Sequence, residues 1–441
     1  MLMYDLILKK RDGGTLSKEE IQFFVDGVVN GSIPDYQISS MLMAIYFQGM
    51  THKETAELTL AMEKSGDVAD LSQIKGIKVD KHSTGGVGDK TTMMVTPVVA
   101  AAGIPVAKMS GKGMGHACGT VDKLDSFPGM RTALSSEEFI KNVNDIGISV
   151  IGQSGNFVPA DKYIYALRAV TGTVESIPLI ASSIMSKKLA AGADRILLDV
   201  KTGSGAFMKT YERSVELAKE MVEIGRNAGR KTGAIVSDMD VPLGTYIGNA
   251  LEAMEAMDVL KGKGSKELTD FCIFVAARML NLADVGTISE CEVIAKEQID
   301  SGAALNKFKE LIVRQGGDVR AVDDYTVLGV PKTVHKVLSP VSGYISHMKT
   351  DQIGMAGVIL GAGRETKDSE LDYRAGIILH KKTGDFVNAG DIIAELHTNK
   401  DDKTVEKAEN DFISALTFTD CKPIEKKLIL AYIDESGITE Y

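Results

Sequence analysis

Tryptophan is absent from this 441-residue chain, and there are only ten prolines and four cysteines. So few cysteines exclude a disulfide-stapled scaffold. Cys118, Cys272, Cys291 and Cys421 are also too far apart for a C-x-x-C zinc knuckle or redox motif. Reduced thiols in a cytoplasmic protein are the expectation. No window approaches the ~18 apolar residues of a membrane span. Even Leu251 to Val259 is interrupted by Glu252, Glu255 and Asp258. The opening MLMYDLILKKRDGG lacks the apolar core and small-residue cleavage site of a secretory signal. Basic residues are not in excess: 50 Lys+Arg against 60 Asp+Glu leave a net charge of −10. That balance argues against a dedicated nucleic-acid binder, but not against a local basic pocket. Seven dispersed histidines, His52, His82, His116, His335, His347, His380 and His397, form no H-E-x-x-H metal site. Gly203-Ser-Gly205 lacks the spacing of a nucleophile elbow.

What is present is an ordinary globular composition, 44% apolar and 25% charged, but rich in glycine. The length suggests about three domains. Residues 1 to about 70 read as helices. Ser17 to Glu20 and Thr51 to Glu54 have capping-box spacing, and Ile38, Met41, Leu42 and Ile45 recur at helical spacing. From about residue 75, apolar runs at Ile77–Val79, Ile104–Ala107, Ser149–Gly152, Arg195–Val200 and Ala234–Ser237 read as strands. Helical stretches at Lys90–Ala102, Ser136–Asn144 and Tyr211–Asn227 alternate with them, which argues for a largely parallel sheet. Residues 161–193 are helical without a strand and are expected to pack with the N-terminal helices. After about 330, short β-like runs return. The expectation is an α/β protein: a small all-helical domain (1–70 and 161–193), an α/β domain with a central, mostly parallel sheet (71–160 and 194–330), and a C-terminal α+β domain (331–441).

Three segments carry the chemistry. Lys81-His-Ser-Thr-Gly-Gly-Val-Gly-Asp-Lys-Thr-Thr92 follows a strand and opens a helix. Its glycines let backbone N–H groups approach an anion, and Lys81, Ser83 and Thr92 add donors, so phosphate is the natural guest. It is not a P-loop, because Asp89 stands where glycine must precede the lysine. Lys108-Met-Ser-Gly-Lys-Gly-Met-Gly-His-Ala-Cys-Gly-Thr120 is a second such loop. It is not a dinucleotide fingerprint, since His116 occupies the third glycine position. In the third segment, Tyr165 and Arg168 stand i,i+3, and Ser183 and Lys187 stand i,i+4, so each pair can share a helical face.

Together these segments, with Leu124-Asp-Ser-Phe-Pro-Gly129 and Asp199-Val-Lys-Thr-Gly-Ser-Gly-Ala-Phe-Met208, resemble the thymidine and pyrimidine nucleoside phosphorylase family over nearly the whole chain. The resemblance implies a homodimer with its active site between the first two domains. It implies that Lys81, Ser83, Thr92, Lys108, Ser110 and Thr120 hold phosphate, with His82 and Met109 also among the substrate-binding residues. Tyr165, Arg168, Ser183 and Lys187 would hold the nucleoside. Arg168 and Lys187 would lie on the base and His82 near its O2 edge, these three being the catalytic candidates. Potassium-binding members imply an ion near Gly88, Lys90, Leu243, Tyr246 and Glu255, mostly through backbone oxygens. The family's usual second loop differs at Ala117 and Cys118, and Lys112 and Asp125 replace a usual Arg and Glu. Lys at position 108 resembles relatives that accept uridine as well as thymidine.

The implied reaction is reversible phosphorolysis of uridine, thymidine or deoxyuridine to free base and a pentose 1-phosphate, with inorganic phosphate as co-substrate. Phosphate would attack the anomeric carbon in line, with inversion, and no covalent nucleophile is needed. Connections near 153–156 and 203–205 are candidate hinges. A thymidine-restricted phosphorylase, an anthranilate phosphoribosyltransferase-like enzyme and a catalytically silent binder are the rival readings. The C-terminal runs Ser339 to Gly343 and Gly390 to Ala394 resemble a biotinyl or lipoyl carrier. His397-Thr-Asn stands where the modified lysine would be, so an unmodified relative is expected.

Overall fold

The computed structural model describes residues 1–113, 115, 117–153, 155–364 and 369–441. Met114, His116 and Ser154, which belong to the second loop and to a candidate hinge, lie outside the described residues. Four helices open the chain: α1 (Met3–Arg11), α2 (Lys18–Val29), α3 (Asp35–Gln48) and α4 (His52–Glu63). Both expected capping boxes form, each hydroxyl accepting from the N–H three residues on while that residue's carboxylate accepts in return. Ile38, Met41, Leu42 and Ile45 are all buried on α3.

The chain continues through β1 (Val79–Ser83), α5 (Thr91–Ala101), β2 (Val106–Ser110), the short α6 (Thr120–Asp125), α7 (Ser136–Ile146) and β3 (Ile148–Gly152). Next come α8 (Pro159–Thr171), α9 (Ile177–Ala190), β4 (Arg195–Thr202), α10 (Tyr211–Asn227) and β5 (Lys231–Asp238). β6 (Tyr246–Ile247) precedes α11 (Asn249–Leu260), α12 (Lys266–Leu282), α13 (Ile288–Asp300) and α14 (Ala303–Arg314). The final region holds β7 (Thr333–Leu338), β8 (Gly343–Met348), α15 (Thr350–Leu360), β9 (Gly376–Leu379), β10 (Phe386–Val387) and β11 (Ile392–Thr398). It ends with α16 (Asp402–Ser414), β12 (Leu416–Thr419), β13 (Ile429–Asp434) and β14 (Gly437–Glu440).

The main sheet has the order β1-β4-β5-β13-β14. Its first three strands are parallel, and β13 and β14 are antiparallel additions. β2 and β3 form a separate parallel pair. Residues 429–440, expected in the C-terminal α+β unit, thus complete the central sheet instead. β1 and β2 begin two residues beyond the expected runs and reach further, because the sheet buries Asp80, Lys81 and Lys108, which an apolar-run reading leaves outside.

One apolar cluster gathers α1 to α4 with Phe157, Val158, Ile164 and Leu179. A second sets Ile177, Ala181, Met185 and Leu189 of α9 against Leu198, Val200, Leu217 and Met221 of β4 and α10. α9 therefore packs on the helical bundle on one side and on the sheet layer on the other. Three connections run side by side at this waist. Asp67 N donates to Asn156 O at 3.0 Å, and Ala69 N donates to Ala190 O at 2.8 Å. Gly192 has φ +82°, and a Cβ there would fall 2.6 Å from Ala69 O. The other proposed hinge, 203–205, is instead clamped. Ser204 N donates to Asp240 Oδ1 at 2.7 Å, Gly205 N donates to Met239 O at 3.0 Å, and Thr350 N donates to Ser204 Oγ at 3.1 Å.

Candidate functional site

Parallel strands end in loops at their carboxyl edge, which is where open α/β sheets gather ligand-binding residues. At that edge β1 presents Asp80, Lys81, His82 and Ser83; β2 presents Lys108, Met109 and Ser110; β4 presents Asp199 and Lys201. Lys81, His82, Ser83, Lys108 and Ser110 are thus strand residues rather than loop residues. A strand fixes their direction more firmly than a loop would.

Charges dominate this edge. Lys108 Nζ lies 3.2 Å from Asp80 Oδ1, and Lys188 Nζ on α9 lies 2.8 Å from Asp80 Oδ2. Both lysines also donate to Met109 O at 3.2 Å. Lys201 Nζ is 2.8 Å from Asp199 Oδ2 and 3.0 Å from Ser237 Oγ. Lys81 Nζ is held more loosely, 3.5 Å from Asp199 Oδ2 and 3.8 Å from Asp89 Oδ1. It is buried and has no hydrogen-bond partner. Four buried ammonium groups therefore face three carboxylates. A buried ammonium held only at ion-pair distance, without a hydrogen bond, is incompletely satisfied, and an added anion is the chemistry that would complete it.

The ionisation pattern agrees. Burial would raise the Asp89 carboxyl pKa, but Lys81, Lys201 and Lys123, with a hydrogen bond from Ser83, hold it well below the ordinary range. Burial likewise opposes the charge on Asp80, and Lys108 and Lys188 overcome it, so its pKa is lowered. Enclosure, with Lys188, Lys108, Lys187 and Lys81 around it, pushes His82 well below its usual value. Burial also brings Lys108 down from 10.5 to about 7, with Lys188 and Lys81 adding to the fall and Asp80 opposing it.

The first loop is organised by its own side chains. Gly85 N donates to Ser83 Oγ at 3.2 Å, and Thr91 N donates to Asp89 Oδ1 at 3.1 Å. Thr92 is buried in the first turn of α5. Ser110 and Thr120, at the start and end of the second loop, are half-buried. That loop is held from a distance. Arg364 grips Asp122 through two bonds of 2.7 and 3.1 Å, and Asp122 Oδ2 accepts Gly113 N at 2.5 Å. Lys123 Nζ donates to Asp89 O at 2.8 Å and Cys118 O at 2.7 Å, joining both loops. Burial and the nearby Glu252 raise the Cys118 thiol pKa, so it is a poor thiolate despite its place in the loop.

Both helical pairs form. Lys187 Nζ donates to Ser183 Oγ at 2.9 Å and to Asp161 Oδ2 at 2.6 Å. Arg168 lies 5.9 Å from the Tyr165 ring centroid. Its guanidinium, however, caps backbone carbonyls of Thr173 at 3.2 Å, Leu179 at 3.0 Å and Val174 at 2.5 Å. Three of its five N–H groups are engaged there, which leaves two for another acceptor.

The residues allotted to potassium behave differently from that expectation. Lys90 Nζ itself donates to Leu243 O at 2.8 Å, to Tyr246 O at 2.9 Å and to Glu255 Oε2. Gly88 O accepts from Lys90 N at 2.9 Å. An ammonium already fills the oxygen cage, so the set does not fit an added ion. No group of three or more His, Cys, Asp or Glu suited to a metal occurs among the described residues.

Sequence reasoning overlooked Asp80, Lys188, Lys123 and Arg364, and gave Asp199 and Lys201 no role. The available signal was a charge inside an apolar run, as in Asp199-Val-Lys201.

Known protein families match the chain in three stretches. The description "Glycosyl transferase family, a/b domain" matches residues 75–305, and its helical bundle counterpart matches 4–66. "Pyrimidine nucleoside phosphorylase C-terminal domain" matches residues 344–418. The pyrimidine-nucleoside phosphorylase of Staphylococcus haemolyticus (strain JCSC1435) is 55% identical over 412 residues, 93% of this chain and 95% of that protein. That of Staphylococcus aureus (strain bovine RF122 / ET3-1) is 54% identical over 421 residues, 95% and 97% of the two chains. The crystal structure of anthranilate phosphoribosyltransferase from Thermus thermophilus superposes with TM-score 0.57 at 18% identity, over 71% of this chain and 99% of that one. This last likeness is one of fold alone.

Proposed function

The chain belongs to the pyrimidine-nucleoside phosphorylase family, and from that premise we propose that it cleaves pyrimidine nucleosides with inorganic phosphate, giving free base and pentose 1-phosphate. The observation that carries the reading is the buried Lys81 ammonium without a hydrogen-bond partner, set among three other buried lysines. Phosphate is proposed to sit against Lys81, Ser83, Thr92, Lys108, Ser110 and Thr120. The nucleoside is proposed to lie toward Tyr165, Arg168, Ser183 and Lys187. Residues 1–70 and 161–193 would form its binding side, and 71–160 with 194–330 the phosphate side.

In the forward step a phosphate oxygen bonds to the anomeric carbon while the C–N glycosidic bond breaks. The bonding pair leaves with the base. The transition state is oxocarbenium-like, as in other glycosidic displacements. Lys81 and Lys108 fix the anion in line. The remaining Arg168 donors and Lys187 stabilise charge growing on the departing pyrimidine. Burial first, and then the surrounding lysines, hold His82 well below its usual value, so it enters neutral and offers an N–H. A phosphate dianion offsets part of the lysines' contribution and shifts that pKa upward, so His82 takes up a proton from solvent more readily once phosphate is bound. The proton the base needs is thereby available at His82.

Release of base from uridine and from thymidine, with and without phosphate and in EDTA, tests the reading. Phosphate-dependent release from both is expected. Release without phosphate, or from neither nucleoside, would overturn it. A cytoplasmic homodimer completes the proposal. Tyr4 on α1 and Tyr36 and Phe47 on α3 are 61%, 72% and 76% exposed, aromatic area that a second copy would cover. The four cysteines are free thiols, and no helix among the described residues is long and apolar enough to cross a membrane.

A further inference from the structure

The root of the first glycine-rich loop is a closed cage of oxygen atoms. Segment 243–246 folds around the Glu255 carboxylate. Thr245 donates to Glu255 Oε1 through its N–H and its hydroxyl, each at 2.8 Å, and Tyr246 N donates to Oε2 at 3.1 Å. Gly244 is required for this wrap, since it has φ +73° and a Cβ would fall 2.4 Å from Glu255 Oε2. Two carbonyls, Leu243 O and Tyr246 O, turn the same way as that carboxylate. Carbonyl and carboxylate oxygens in such an array are the chemistry that replaces the hydration shell of an alkali cation.

Into this array the chain inserts its own cation. Lys90 is the residue before α5, and its side chain is fully buried. An ammonium has three N–H donors, and the three acceptors here are Leu243 O, Tyr246 O and Glu255 Oε2. Every donor is satisfied, and one carboxylate balances one positive charge. Burial alone would raise the Glu255 pKa, but Lys90 and the Thr245 bonds reverse the shift, so the carboxylate stays ionised. A free monovalent ion in the same cage would leave a buried positive charge unbalanced and against the ammonium.

We infer that Lys90 is a built-in monovalent cation, a tethered ammonium that takes the place of potassium and ties down the first glycine-rich loop. The bond network gives it that role. Lys90 N anchors on Gly88 O, and Leu243 N donates to Val87 O at 3.1 Å, so the loop and the 243–246 segment close on each other. Tyr246 in turn pairs with Ile378 of β9, which carries the tie into the C-terminal sheet. Lys90 is thus a positioning residue for the cradle. The kinetic consequence rests on the phosphorylase reading, whereas the cation-binding consequence does not.

The test uses the full-length chain and the variant Lys90→Thr, which removes the ammonium and supplies a hydroxyl oxygen in its place. Thermal midpoint and the KM for phosphate are measured in matched chlorides of potassium, sodium and tetramethylammonium. The wild-type chain is expected to show the same midpoint and KM in all three. The variant is expected to melt lower in tetramethylammonium and to recover in potassium. Its phosphate KM should rise roughly tenfold without potassium, an ordinary size for coupled sites, with kcat changing less. A potassium-dependent midpoint or KM in the wild type overturns the inference, as does a folded variant indifferent to the cation. If the variant does not fold in any salt, the wild-type comparison decides by itself. If neither protein turns over nucleoside, the midpoints still answer the cation question, and only the phosphorylase reading fails.

Discussion

Lys108 shows how far a single side chain can couple charge to ligand. Its ammonium is buried and pushed to about 7, with Lys188 nearby and one Asp80 oxygen at 3.2 Å. A lysine whose folded pKa lies below the unfolded one binds fewer protons when folded. Its contribution to stability therefore grows as pH rises from about 7 toward 10.5. Phosphate works in the other direction, because a dianion beside Lys108 favours the charged form. Phosphate binding near pH 8 should take up a proton, measurable as a buffer-dependent binding enthalpy, and the KM for phosphate should climb as pH rises above about 7. In Lys108→Met the uptake should disappear. The same variant should shift preference toward thymidine over uridine by roughly tenfold or more, since losing a buried polar partner is felt most by the substrate that used it. An unchanged ratio of kcat/KM would refute the specificity reading of this position. Lys81 is the sharper case. Lys81→Met removes this loosely held ammonium, and kcat/KM should fall roughly 100-fold or more with the fold intact by circular dichroism. Wild-type turnover in that variant would remove the central support for the phosphate site.

At the scale of elements, the second glycine-rich loop is held by a residue far away in sequence. Arg364 reaches Asp122 through a bidentate, charge-assisted bond, and Asp122 fixes Gly113 N. Such a bond is worth about 1.5–3 kcal/mol. Arg364→Met should loosen the loop and raise the phosphate KM by roughly tenfold while kcat falls less. Steady-state kinetics with phosphate varied at saturating nucleoside checks this, and an unchanged KM would show the clamp to be only structural. This clamp also marks what a sequence can display. Tyr211–Asn227 was legible to the residue, and the starts of α2 and α4 were legible from their capping boxes, because capping and periodicity are local. β1 and β2 were found but displaced, since the rule that strands are apolar fails where a strand buries an ion-pair network. The placing of β13 beside β5 was not legible at all, because it pairs segments some two hundred residues apart and no local pattern encodes it. The first two segments of the candidate site were legible as donors, but their carboxylate partners were not. Asp80 and Asp199 look like surface charges until the sheet encloses them.

For the whole molecule, the arrangement of α9 decides what motion is available. Lys187, on the proposed nucleoside side, and Lys188, which crosses to Asp80 on β1, are consecutive residues. One helix therefore carries both a proposed substrate contact and an anchor into the sheet. Ile177, Ala181, Met185 and Leu189 pack α9 on β4 and α10, so a wide hinge opening would expose that apolar face. Exposure costs about 25 cal/mol per Å², which favours a small shear of packed helices over a swinging lid. Any such shear would pass through the waist, where the three connections adjoin. Val158, held at φ +47° although β-branched, stores strain at that point. Hydrogen exchange should find α9 as well protected as β4 in the free protein. Addition of phosphate and a pyrimidine together should slow exchange at 66–69 and 155–158, with either ligand alone doing less. Lys188→Met tests the anchor through chemistry instead of motion. Removing one like charge and leaving Asp80 to Lys108 alone must raise the Lys108 pKa. The pH at which phosphate KM begins to climb should then move upward by about a unit or more. If the profile stays where it was, Lys188 does not set the charge of the cradle, and the coupling between helical and sheet layers runs through packing alone.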